Sequence, residues 1–323
     1  MLNASGIPIL EIKHLGKREW EEYKNKTNAF LSGFQRSEGV MDMQRFTHLG
    51  RPIDLNYPTN LAITFICICT LIMIVICGVL SQGLLLSDAL FKGRGFAGTV
   101  FLTWALGREF DPDGEILAFF PIPLAIMLVY WLGFPTFDLL FLTLLLMRIV
   151  NRTIGLAPTP GDVLLVVVLM VWVSRGGEWY IVFCTAMAFV FVAFLVRSHP
   201  SHKWITRMSG VAAILLYLTK EWLYNPELSA FLVWMVLCGI LGVTAMFLFT
   251  PEIRSLSDHN SPIYLQRVQA SWLLALLLAI LTVCLHAQGF AAMAPLWSVF
   301  IVVGGYRLLL GIFNRWNIHD SII

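Results

Sequence analysis

Between residues 58 and 313 the chain runs through one apolar stretch after another, with only short polar breaks. A helix crossing the hydrocarbon layer needs about 20 apolar residues, so this length holds roughly ten passes and little else. Hydrophobic residues make up 58% of the 323 and charged residues 13%, about half the charged share of a soluble domain. The mean hydropathy is +0.77. Such a chain has too few charges to cover a water-facing surface, so its excess apolar area faces lipid. The expected fold is all-α: a polytopic membrane protein of about ten transmembrane helices arranged as helical hairpins.

The expected domains are a cytosolic segment, residues 1–57, and a transmembrane helical domain, residues 58–323. Residues 16–34 read as an amphipathic helix, with Trp20, Tyr23, Phe30, Leu31 and Phe34 near one face and Lys17, Arg18, Glu21, Glu22 and Lys24 around the rest. It suits either a membrane surface or the protein's own loops. No signal-peptide pattern precedes the first apolar run, which is therefore expected to stay as an uncleaved anchor.

The expected spans are 60–83, 93–108, 115–132, 136–150, 161–175, 178–197, 204–224, 227–249, 268–288 and 291–313. With both termini inside, 18 Lys and Arg fall on the inner side and Lys92, Arg94, Arg175 and Lys220 on the outer side. That asymmetry obeys the positive-inside rule and predicts an integral plasma (inner) membrane protein with cytosolic ends. Trp131, Trp172, Trp179 and Trp222 sit at predicted outer ends, a depth that indoles prefer.

Phe101-Leu102-Thr103-x-x-Leu106-x-Arg108 recurs 40 residues later as Phe141-Leu142-Thr143-x-x-Leu146-x-Arg148, and a looser third copy ends Leu195-x-Arg197. The repeat suggests helical units with Arg at each inner corner.

Two of these corners carry the densest polar sequence. The first runs from Arg108 through Asp111-Pro112-Asp113-Gly114 to Glu115. The second runs from Arg148 through Asn151 and Arg152 to Asp162. Arg108, Asp111, Asp113, Arg148, Asn151, Arg152 and Asp162 therefore form a candidate polar site at the cytosolic face. Carboxylates there suit a divalent cation, and Arg148 with Arg152, four apart, suit a phosphate or lipid head group. The competing reading is structural: Asp-Pro-Asp-Gly is a turn, Asp113 and Asp162 cap the helices that follow, and Arg–Asp pairs lock corners together. Arg307 is the charge placed within a span, either snorkelling or pairing with a carboxylate of another helix.

The other chemistry-bearing residues add little. Cys67, Cys69, Cys77, Cys184, Cys238 and Cys284 all lie in apolar runs and read as small apolar residues. His199 and His202 share a loop without a nearby third ligand, and His286 stands alone. The paired-aspartate signature of membrane prenyltransferases is absent, and so are a Gly-x-Ser-x-Gly elbow, a His-Glu-x-x-His helix and a P-loop. Glu21-Glu22 lies outside the spans, unlike the glutamate pair of membrane CAAX-type proteases. The sequence calls for no cofactor and no metal, and a net charge of +2 does not suit a nucleic-acid partner.

Three functions stay open. The first is a non-enzymatic membrane subunit or scaffold whose partners are the lipid bilayer and other membrane subunits. The second is a transporter or permease for a small molecule. The third is an enzyme acting on a lipid-linked phosphate at the cytosolic face.

Overall fold

The computed structural model describes residues 47–50, 54–195, 230–250, 252–258, 261–286 and 288–320. The chain divides into two compact units, Met1–Phe46 and Thr47–Ile323, and the described residues all belong to the second. Residues 47–57, assigned by sequence to the N-terminal segment, are thus part of the helical unit. The expected amphipathic helix at 16–34 and the expected span at 204–224 lie outside the described residues.

The described residues form helices and loops, with one isolated β-bridge between Leu256 and Pro262 and no strand. In chain order the helices are α1 (Pro58–Gln82), α2 (Leu86–Phe110), α3 (Pro121–Leu132), α4 (Phe137–Asn151), α5 (Pro160–Val173), α6 (Trp179–Leu195), α7 (Ala230–Phe249), α8 (Leu265–Leu285), the one-turn α9 (Gly289–Ala292) and α10 (Ala294–Asp320). Among the described residues, four segments are long and apolar enough to cross a membrane: Pro58–Gln82, Phe231–Phe249, Leu265–Leu285 and Ala294–Phe313. The shorter apolar helices pack among them.

Local chemistry sets the helix ends. Pro58 and Pro160 stand in the first turns of α1 and α5, where a missing N–H is harmless. Gly83 closes α1 in the left-handed conformation at φ 61°, and its N–H bonds the Gly78 carbonyl. Thr159 and Asp162 make a reciprocal capping box at the start of α5.

Helix α1 lies at the outside of the unit, with Phe65 66% and Leu80 79% exposed. Those side chains would be unstable in water and are stable against lipid. Helix α4 is the opposite case: 11 of its 15 residues are buried. It is apolar all round because it is surrounded by protein, chiefly α2, α5, α6 and α8. At 1.5 Å per residue it is about 22 Å long, less than the ~30 Å hydrocarbon thickness. A helix wrapped by its neighbours need not match that thickness.

Glycine sets the closest contact, between α7 and α10. A Cβ added at Gly304 would meet the Gly242 backbone, and one added at Gly242 would meet the Phe300 carbonyl. The two backbones touch, as helices do through small residues in lipid, where packing rather than water exclusion drives association. A similar contact joins α1 to α2, where a Cβ at Gly93 would lie 3.0 Å from the Leu71 carbonyl oxygen.

Candidate functional site

All seven residues of the candidate polar site fall at one end of the helical unit. The C-terminal ends of α2 and α4, the N-terminal ends of α5 and α8, and residues 47–50, 54–57, 252–258 and 261–264 all meet there. Lys92, Arg94 and Arg175 belong to the opposite helix ends. The structure brings the two corners together, but in pairs rather than around one centre.

Asp111 follows the last residue of α2, and Arg307 comes from α10. Arg307 Nη2 donates to Oδ1 at 2.7 Å and to Oδ2 at 2.6 Å, and Nε donates to Oδ2 at 3.1 Å. The side chains are 5% and 17% exposed. Arg307 therefore pairs with a carboxylate instead of snorkelling, and a bidentate pair of this kind fixes orientation as well as charge.

Glu109 is the residue that sequence reasoning overlooked. Its side chain is 1% exposed. Oε1 accepts from Arg148 Nε at 2.9 Å, Oε2 accepts from the Thr153 hydroxyl at 2.8 Å, and its backbone carbonyl accepts from Asn151 Nδ2 at 3.0 Å. Arg148 Nη1 also reaches the Leu49 carbonyl at 3.1 Å. One carboxylate so joins α2, the end of α4 and residues 47–50. A signal was present: a lone carboxylate in the last apolar turn of α2 is costly to bury without a partner.

Asp162 does more than cap α5. Its oxygens accept from the backbone N–H of His48 at 3.0 and 3.2 Å, from that of Thr159 at 2.8 Å, and from the Thr47 hydroxyl. Asp113 does not cap the next helix. Its carboxylate accepts from the backbone N–H groups of Arg254, at 3.1 Å, and Ser255, at 2.7 Å, and so anchors the segment that leads into α8.

Arg108 donates to the Thr59 hydroxyl at 3.1 Å, lies 3.8 Å from Glu115, and stacks on Tyr57 and Trp104. The Tyr57 hydroxyl donates to Glu115 in turn.

Arg152 breaks the expectation that it shares a helical face with Arg148. It stands just past the end of α4 in the left-handed conformation at φ 52°, and its N–H bonds the Arg148 carbonyl. Its Nε is shielded from solvent and has no acceptor, and the same holds for Arg267 Nε. Burial, with the neighbouring Arg267 charge adding to it, lowers the Arg152 pKa to about 10, so it is still charged at neutral pH.

The carboxylates of the site thus each receive donors from another element. Asp111 and Asp113 turn to different partners, and among the described residues no three His, Cys, Asp or Glu side chains are grouped so as to hold a metal ion. The arrangement can clamp helices; Asp113, Glu115 and Glu252 also line an open cavity of about 610 Å³, where the Asp113 carboxylate is already engaged by the backbone at 254–255. Set against known proteins, the chain matches no family model, and neither a similar curated protein nor a similar solved structure is found.

Proposed function

We propose that this protein is a non-enzymatic integral membrane subunit or scaffold of a larger membrane complex. It would sit in the plasma (inner) membrane with about ten spans and both ends cytosolic. The supporting observation is the engagement of Glu109, Asp111, Asp113 and Asp162 in bonds between elements. A transporter that couples to protons or sodium, or an enzyme at the membrane face, needs such groups facing its substrate. The orientation rests on the charge asymmetry of the sequence.

Mild extraction from native membranes, followed by mass spectrometry of what stays bound, tests the proposal. Protein partners are expected in fixed ratio. They should be lost when residues 1–46 are deleted, a deletion that leaves Thr47–Leu49 in their place on the helical unit. A chain that purifies alone, stable and monomeric, sinks the subunit reading. An impermeant thiol reagent applied to intact cells is expected to label a single cysteine replacing Asp88 but not one replacing Asp258; the reverse pattern sinks the orientation.

A further inference from the structure

The two copies of the eight-residue repeat do not form separate corners. They lie side by side on α2 and α4, running in the same direction: a Cβ at Gly98 would touch the Phe137 ring at 3.1 Å near one end, and Glu109 bonds Arg148 near the other. Their environments match position by position. The second, third and sixth residues of each copy (Leu102 and Leu142, Thr103 and Thr143, Leu106 and Leu146) are 7% exposed or less. Both threonines donate to the carbonyl four residues back, at 2.7 and 2.8 Å.

The first, fourth, fifth and eighth residues of each copy face a common cavity of about 280 Å³. Phe101, Trp104, Ala105 and Arg108 line it from one copy, and Phe141, Leu144, Leu145 and Arg148 from the other. That spacing is one helical face, used twice. The mouth includes Phe141 and Leu165, 43% and 45% exposed on the apolar outside of the unit. The polar end holds both arginines with Asn60 and Thr47.

We propose that this cleft is a lipid site, taking one acyl chain of an anionic membrane lipid between the repeat copies and its phosphate at Arg108 and Arg148. The occupant follows from the lining. Aromatic and aliphatic walls that open toward lipid suit a hydrocarbon chain, and the volume, near the lower end for ligand sites, suits one chain rather than a whole lipid. Two guanidinium groups at the polar end suit a phosphate, which would share Arg148 with Glu109 and Arg108 with Glu115. Arg148 engages Nε and Nη1 with protein acceptors, and its Nη2 has none among the described residues. Trp104, 7% exposed, carries in the same wall an indole N–H with no acceptor among the described residues. The site does not depend on the subunit proposal, since a transporter or an enzyme would hold lipid there equally well.

Native mass spectrometry of the whole protein, after reconstitution in equal phosphatidylglycerol and phosphatidylcholine, provides the test. The wild type is expected to retain one phosphatidylglycerol in preference to phosphatidylcholine by about tenfold, the equivalent of one charge-assisted hydrogen bond. Arg108→Gln is expected to bring that preference to near parity. Leu165→Trp, a change at a half-exposed position, is expected to narrow the mouth and reduce retention of both lipids. Equal retention of the two lipids by the wild type overturns the proposal. So does displacement of the lipid by excess inorganic phosphate, which would mark a site for a free anion. If Arg108→Gln does not fold, the wild-type preference and Leu165→Trp decide the matter by themselves.

Discussion

The Asp111–Arg307 pair joins residues 196 positions apart, so cutting it tests whether the polar end is a clamp or a reaction centre. Removing one partner of a buried ion pair leaves the other charge uncompensated, at a cost of about 3–5 kcal/mol. Arg307 is 17% exposed and can recover some hydration, which places Asp111→Ala near the lower bound, about 3 kcal/mol. For a chain of this size that corresponds to a fall in Tm of roughly 4–5 °C. Arg307→Met is expected to lower Tm by a similar amount. Asp111→Leu combined with Arg307→Met removes both charges and is expected to come within about 1 kcal/mol of the wild type, since an apolar pair of similar volume replaces a buried ion pair at little cost. The assay is thermal unfolding in detergent, followed by the loss of the monodisperse size-exclusion peak. An Asp111→Ala protein with wild-type Tm would refute the clamp. A double variant as unstable as the sum of the singles would refute the pairing energetics.

Two further outcomes follow from the packing. Gly304→Ala is expected to destabilise by about 3 kcal/mol or more, because its Cβ would displace the Gly242 backbone, whereas Gly305→Ala, with open space around it, is expected to be neutral or slightly stabilising; matched thermal scans compare the two. Arg152→Gly is expected to raise stability by about 1 kcal/mol, by relieving a non-glycine left-handed residue and removing a cation without an acceptor, as measured by the same scans. The direction of the Arg152 shift agrees: a cation whose pKa falls to about 10 on folding holds its proton more tightly in the unfolded chain, so this residue works against the folded state until the pH rises above that value and through the ordinary arginine range.

Much of the fold was legible in the chain. Apolar runs mark nine described helices near their observed places, because burial in lipid or protein imposes composition directly on each segment. The capping role of Asp162 at α5 was legible too, because it acts within one turn, although the N-cap itself is Thr159 and Asp162 stands at the third helical position. The polar corners were found because charge is rare in such a sequence. Composition and local spacing do not, however, say which helices face lipid. Helices α1 and α4 are both apolar, yet one is largely exposed and the other enclosed. The difference lies in what surrounds them.

The sequence by itself determined that this protein is built of apolar helices, that its charges gather at helix ends, and that eight residues near Arg108 reappear near Arg148. Only the tertiary structure decided the pairing of those charges. Asp111 bonds Arg307, Glu109 bonds Arg148, and Asp113 holds the backbone at 254–255 instead of the next helix. The physical reason is distance along the chain. A cap or a turn is set by neighbours a few residues away, whereas an ion pair across 196 residues exists only once the helices between have packed. The same packing turned a repeated octapeptide into two walls of one cleft.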